Sequence, residues 1–181
     1  MDTTTVPTLT RNWLTHVRLR FLQEEDLPAL EWDGVYTHFR HVYREAYQAS
    51  LKGQALLWVA DHETAGIIGQ AFVQLASSHP ELADGETRAY LYGFRIKPAY
   101  RNAGLGSFML TTIVNDLKQR GYTWLTLNVA IENTAARRLY ERFGFVVVGY
   151  DPGCWSYLDH EGQRRFVEEP SWRMQKWLGD P

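Results

Sequence analysis

Residues 91–106 read Leu-Tyr-Gly-Phe-Arg-Ile-Lys-Pro-Ala-Tyr-Arg-Asn-Ala-Gly-Leu-Gly, and the fold turns on how they are parsed. Up to Lys97 the stretch alternates as a strand does. Tyr90, Tyr92, Phe94 and Ile96 fall on one face, and Leu91, Gly93, Arg95 and Lys97 on the other. Pro98 has no N–H to give a ladder and ends the strand. Arg101-Asn102-Ala103-Gly104-Leu105-Gly106 then leads into a helical pattern. Strand, glycine-bearing loop and helix start together make an anion site. The N–H groups of the loop and first turn have no intrahelical acceptor, and the helix dipole favours negative charge there. Glycines let the backbone approach an oxygen-rich ligand, and Arg101 adds a fixed positive charge with planar donors.

The chain has 181 residues, which suits one domain with a sizeable core. Hydrophobic residues make up 45% and aromatics 14%, a globular composition. The net charge of −2, with no lysine/arginine block, argues against nucleic acid as the main partner. One cysteine, Cys154, excludes an internal disulfide and a multi-cysteine metal site, and no metal is expected. No long apolar run suggests a membrane span, and residues 1–12 lack the apolar core of a signal peptide. A cytoplasmic location is expected by default. Residues 1–15 are read as a flexible arm and 16–181 as a single domain, and a homodimer is left open.

Several elements are legible along the chain. Val17, Leu19 and Phe21 alternate with Arg18 and Arg20 as a first strand. Glu24-Glu25-Asp26-Leu27-Pro28 suggests a helix start capped by Asp26. Phe39, Val42, Tyr43, Ala46, Tyr47 and Ser50 recur at helical spacing before Gly53. Residues 55–60 and 67–76 are apolar strand runs joined by a hairpin loop, and 77–86 is a polar loop. After residues 90–106, Met109, Thr112, Ile113 and Leu117 mark a helix ending at Gly121. Residues 124–129 form another strand. Asn133 then caps a helix whose apolar face is Ala136, Leu139, Tyr140 and Phe143, with Gly144 closing it. Residues 145–150 and 172–177 read as closing strands around a turn-rich loop.

What anion the loop holds depends on its frame. A P-loop needs Gly-x4-Gly-Lys-Ser/Thr, which is absent. A dinucleotide loop needs Gly-x-Gly-x-x-Gly, and Gly104-Leu105-Gly106-Ser107-Phe108-Met109 lacks the third glycine. No acidic residue stands in the strand at 124–129, where a dinucleotide fold would need one. Read from Arg101, the loop is Arg-x-x-Gly-x-Gly, which resembles the pyrophosphate loop of the GNAT superfamily, the acyl-CoA-dependent N-acyltransferases. A second block follows after one helix and one strand: Asn133, Ala136, Leu139, Tyr140, Gly144 and Phe145, as Asn-x-x-Ala-x-x-Leu-Tyr-x-x-x-Gly-Phe. It resembles the family's other signature segment. The sharp match spans about residues 90–146, and the order of elements fits from about 17 to 177.

The resemblance implies an α/β fold: a mixed, twisted sheet of six to seven strands, the fourth and fifth splayed apart, flanked by about four helices. It implies acetyl-CoA as co-substrate, with the pantetheine arm in the gap. Phe94, Arg95 and Ile96 would face pantetheine and acyl group. Arg101 and the backbone of Asn102, Ala103, Gly104, Leu105, Gly106 and Ser107 would hold the pyrophosphate. Asn133 would contact CoA near its cysteamine end, and Tyr140 would be the general acid. The implied reaction is direct attack of a primary amine, a small amine or peptide α-amine, on the thioester. The alternative is a non-catalytic CoA-binding regulatory domain. Several family members carry a Glu base five residues before the signature Asn. Here that residue is Asn128, which cannot accept a proton, and Glu132, Glu86 and His160 have no motif behind them. The aromatic region from Glu31 to Tyr47 is expected to border the acceptor cleft, with Glu31, Asp33 and Tyr36 as candidate acceptor contacts.

Overall fold

The computed structural model describes Leu9 and residues 12–179. Three antiparallel strands come first. β1 (Val17–Phe21), β2 (Ala55–His62) and β3 (Gly66–Gln74) pair in chain order. β4 (Arg88–Ile96) adds antiparallel to β3. The crossover through α2 (Leu105–Gln119) brings β5 (Trp124–Ala130) parallel to β4. After α3 (Thr134–Arg142), β6 (Val146–Asp151) becomes the sheet edge and β9 (Ser171–Trp177) inserts between it and β5. The seven-stranded order is β1-β2-β3-β4-β5-β9-β6. No helix among the described residues is long and apolar enough to cross a membrane.

Each face of the sheet buries its own apolar cluster. Leu56, Ile68, Val73, Ala89, Leu91, Leu125 and Leu127 face α2 and α3, meeting Leu105, Met109, Leu110, Ile113 and Tyr140. Ala55, Leu57, Val59 and Phe72 face the other way, onto Leu27, Leu30, Tyr43 and Ala46 from the 3-10 stretch Glu24–Gly34 and α1 (Arg40–Leu51). Burying both faces explains why β2 and β3 are nearly continuous apolar runs.

β4 departs from simple alternation. Opposite Gln70 stands Arg95 and opposite Phe72 stands Tyr92, so β4 spends one residue more than β3 over the same span. The extra residue falls at Gly93 and Phe94, a β-bulge, and Gly93 takes φ +58. The bulge reverses the facing of everything beyond it. Phe94 and Ile96 therefore pack with Leu91 on the α2 side, while Tyr92 lies with the opposite cluster. The uniform alternation expected from the sequence, with Tyr90 through Ile96 on one face, holds only up to Tyr92.

Other local expectations are adjusted too. Gln23, not Asp26, is the cap of the 3-10 stretch; Asp26 sits at its third position and accepts from the Gln23 N–H at 2.8 Å. The turn-rich loop expected before β9 contains a hairpin of its own, β7 (Cys154–Leu158) paired with β8 (Arg164–Glu168). Of the arm expected over residues 1–15, Leu9 and 12–15 are described. Residues 13–15 lie in the 3-10 turn Trp13–His16, which buries Trp13, and residues 1–8, 10 and 11 lie outside the described residues.

Gly93 offers a direct check of the bulge. An alanine there must hold a left-handed φ and would bring its Cβ to 3.3 Å from the Phe72 ring. Gly93→Ala should cost about 1–2 kcal/mol, read as a lower urea midpoint with an unchanged m-value.

Candidate active site

The bulge opens a gap. β4 and β5 pair only from Arg88↔Trp124 to Leu91↔Leu127. Beyond that point β4 runs on against β3, and β5 against β9. Residues 92–96 and 128–130 thus face each other across parted strands, the splay expected from the sequence.

The glycine loop sits at the far end of β4. Pro98–Tyr100 form one 3-10 turn, and the Arg101 Nε then donates to the Ile96 carbonyl at 2.7 Å, pinning the loop to the strand it leaves. Asn102 at φ +57 and Gly104 at φ +93 turn the chain sharply into α2. No backbone carbonyl among the described residues accepts from the N–H groups of residues 102–107, and the first helical bond runs from Phe108 to Gly104. Six successive donors are left for a ligand at a helix N-terminus. Close packing keeps this row on the gap. A Cβ on Gly106 would lie 3.1 Å from the Leu139 side chain and 3.7 Å from Ile96, so α2, α3 and β4 meet closely there.

Trp13, which the sequence places in the arm, braces the same loop. Its Nε1 donates to the Ala103 carbonyl at 3.0 Å, and its ring lies 5.7 Å from Tyr100. A lone bulky aromatic just ahead of the first strand was the available signal.

α3 supplies the other expected residues. Asn133 caps it, its side-chain oxygen accepting from the Ala136 N–H at 3.2 Å. Tyr140 is 8% exposed and its ring meets Phe145 edge-on at 5.7 Å. Burial pushes the Tyr140 phenol well above its ordinary range, and the nearby Tyr90 phenol raises it further. On β4, burial lifts Tyr90 as well, and it drives Tyr92 up to about 12.

Asn128, where the sequence lacks the expected carboxylate, lies just past the last β4–β5 pair. Its Oδ1 accepts from Arg173 Nε at 3.3 Å and its Nδ2 donates to Asp151 at 3.4 Å. Arg173 also pairs with Asp151, so β5, β9 and β6 are tied by one polar cluster beside the gap. Nothing in the sequence joins these three residues, which only the insertion of β9 brings together. Glu86 and Glu132 stand exposed in turns. His160 sits in the exposed turn of the β7–β8 hairpin, within electrostatic reach of His38.

On the face opposite α2, an aromatic wall borders the gap. Tyr36 and Phe39 stack at 6.0 Å and 9°. Trp155 stacks on Phe39 at 6.1 Å, and Tyr157 packs on it at 5.0 Å. Of the expected acceptor contacts, Tyr36 is in this wall. Glu31 is engaged by Arg40 through two bonds of 2.9 and 2.8 Å, which hold its carboxyl below the usual range. Asp33 stands exposed in a left-handed turn at φ +54. A separate pocket of about 390 Å³, lined by His41, Arg44, Glu45 and Leu158 among others, opens on α1 and the end of β7 and contains none of these groups.

A family model, the acetyltransferase (GNAT) family, matches residues 18–145. The ribosomal protein bS18-alanine N-acetyltransferase of Escherichia coli (strain K12) is 39% identical over 57 residues, 32% of this chain and 38% of that protein. A mycothiol acetyltransferase of Nocardiopsis dassonvillei is 35% identical over 66 residues, 36% of this chain and 20% of that protein. The match thus spans about two fifths or less of these relatives' length. In fold, the ribosomal-protein-S18-alanine N-acetyltransferase from Escherichia coli superposes with a TM-score of 0.67 at 20% identity, over 91% of this chain and 96% of that one. An acetyltransferase from Salmonella typhimurium, solved with acetyl-CoA, gives 0.66 at 17%, over 92% and 96%.

Trp13→Phe keeps most of the packing and removes the bond to Ala103. It should lower stability by about 0.5–1.5 kcal/mol in urea unfolding.

Proposed function

The chain belongs to the acetyltransferase (GNAT) family of acyltransferase enzymes, and on that premise we propose that it moves an acetyl group from acetyl-CoA to a primary amine by direct attack. One observation carries the reading. A row of unpartnered loop N–H groups follows β4 where it has parted from β5, and the buried Tyr140 phenol lies near Tyr90 of the same strand. Backbone, not side chains, provides the donors, so an extended ligand ending in phosphates fits them without a particular residue at each position. The left-handed residues Asn102 and Gly104 give the loop a backbone form that can gather N–H groups around an anion.

Each protein group has a distinct task in this scheme. The N–H groups of residues 102–107 hold the pyrophosphate, with Arg101 adding charge. The edge of Phe94, Arg95 and Ile96 that β5 leaves unpaired binds the pantetheine arm as an added strand would. A β4 N–H near the Gly93 bulge donates to the thioester oxygen as negative charge develops there. Asn133 fixes the start of α3 and lies toward the cysteamine end. The neutral amine forms the C–N bond, the C–S bond breaks, and the Tyr140 hydroxyl protonates the departing thiolate. The proton given up by the amine leaves to solvent, and Tyr140 is then reprotonated.

Two variants test this. Gly104→Asp sets a carboxylate and a strained Cβ in the anion row. It should abolish acetyl-CoA binding by calorimetry while the far-UV spectrum stays folded, and preferential NADH binding by the wild type would replace the reading with an oxidoreductase. Tyr140→Phe removes one oxygen from a packed ring. It should leave acetyl-CoA affinity near normal and cut kcat about 10²-fold. A kcat within about threefold of wild type would leave Tyr140 a packing residue only. Because burial raises the Tyr140 pKa, the acid form persists above pH 10. The rate should therefore climb with deprotonation of the amine and show no alkaline fall below that pH.

A further inference from the structure

We propose that Arg95 makes the acceptor site select primary amines that also carry a carboxylate. The inference rests on the acetyl-transfer reading above and names the acceptor class that reading leaves open. Because of the bulge at Gly93, Phe94 and Ile96 turn toward α2, and the Arg95 side chain turns to the opposite face. There its guanidinium lies 4.7 Å from the Tyr36 ring centroid and 5.2 Å from that of Phe39. It also folds back over the bulge: a Cβ on Gly93 would be 3.7 Å from its Nη1. The cation is therefore held beside the open part of β4, where the thioester carbonyl belongs in the proposed mechanism.

Arg95 is a half-buried residue, yet no hydrogen bond or ion pair joins its guanidinium to any described residue. Aromatic faces offset part of its desolvation, but they accept none of its five N–H donors. The anions around it are already committed. Glu31 is paired with Arg40 and Asp159 with Arg165. His38 beside it is pushed down by burial and then by Arg95 itself, so its imidazole favours the neutral form and offers no anion. Asp33 is exposed to water in its turn. A partly desolvated cation without a counter-ion is a weak point that an incoming carboxylate removes, through two parallel N–H···O bonds. The same charge repels a polyamine. Tyr36, Phe39, Trp155 and Tyr157 would flank the body of such an acceptor with apolar surface.

The test compares free α-amino acids, their carboxamides, C-terminally amidated dipeptides beginning with Asp or Glu, and spermidine, using wild type, Arg95→Gln and Arg95→Lys. Wild type should favour a carboxylate-bearing amine over its neutral counterpart by roughly 10–100-fold in kcat/KM. Arg95→Gln should shrink that ratio to near one, with Arg95→Lys in between. A preference for the free amino acids identifies the main-chain carboxylate, and one for the acidic dipeptides identifies a side-chain carboxylate. A wild-type ratio near one, spermidine as the best acceptor, or equal losses on both members of a pair in Arg95→Gln would each overturn the proposal. Calorimetry with N-acetylleucine and N-acetylleucinamide in the presence of CoA supplies a readout free of turnover. Arg95-dependent preference for the carboxylate with no acetyl transfer to any amine would uphold this site and refute the acetyl-transfer reading. Equal binding of the two by wild type would refute the site itself.

Discussion

One extra residue in β4 controls the arrangement of the whole gap. Between Gln70 and Phe72, β3 advances two positions while β4 advances three, and Gly93 absorbs the difference at a φ that an L side chain resists. A bulge bends its strand and sharpens the local twist. β4 accordingly leaves β5 just after Leu91, the residue before the first bulge-adjacent pair. Splay, side-chain facing and the aim of the loop that follows all descend from this one insertion. Gln70, wholly buried in the neighbouring strand, donates to the Gly93 carbonyl at 3.2 Å and holds the distorted backbone from the side.

What the sequence disclosed was local. The strand, loop and helix of residues 88–119 and the capped α3 carry their signals within a few positions: Pro98, the glycines, Asn133, the apolar face ending in Tyr140. Those were legible, and so was the order of elements they imply. Side-chain facing along β4 was not, because period-two reasoning assumes an uninterrupted ladder, and a bulge changes parity without changing composition. Gly93 was visible, but a strand glycine does not by itself say which way Arg95 turns. The β7–β8 hairpin escaped for another reason. Its residues are mostly exposed, paired only to each other, so they show no buried face to betray a strand. Trp13 reaches a carbonyl 90 residues ahead, a partner no local pattern can name.

The two sides of the gap differ in what they leave unsatisfied. On the α2 side the orphan groups are backbone donors, neutral amides summed with a helix dipole. They suit phosphates and tolerate changes of side chain. On the α1 side the backbone is covered by an aromatic wall, and the Arg95 guanidinium stands without a counter-ion among the described residues. Around it the acid–base pairs are closed, Glu31 with Arg40 and Asp159 with Arg165. A closed pair contributes little to steering, because an approaching ion must compete with a partner already in place. The open charge of Arg95 therefore sets the sign that an acceptor meets at the wall.

That sign also bears on the missing base. Asn128 cannot take a proton, and the nearest carboxylate, Asp151, is held by Arg173 and by the Gly153 N–H at 2.7 Å. Such a site must work with the neutral fraction of its amine. At pH 7 an α-amine with pKa ~8 is about 10% neutral, whereas a lysine amine near ~10.4 is below about 0.1% neutral. The first deficit is a factor of about ten, within reach of a reaction without a dedicated base; the second exceeds a thousand. A carboxylate next to an ammonium works against the enzyme, since it stabilises the charged form and raises the amine's pKa. A guanidinium that binds that carboxylate cancels the effect, and its own charge further disfavours the ammonium. In the proposed reaction Arg95 would then do by electrostatics part of what a proton acceptor on β5 would otherwise do: it would hold the acceptor in place and shift its amine toward the form that can attack.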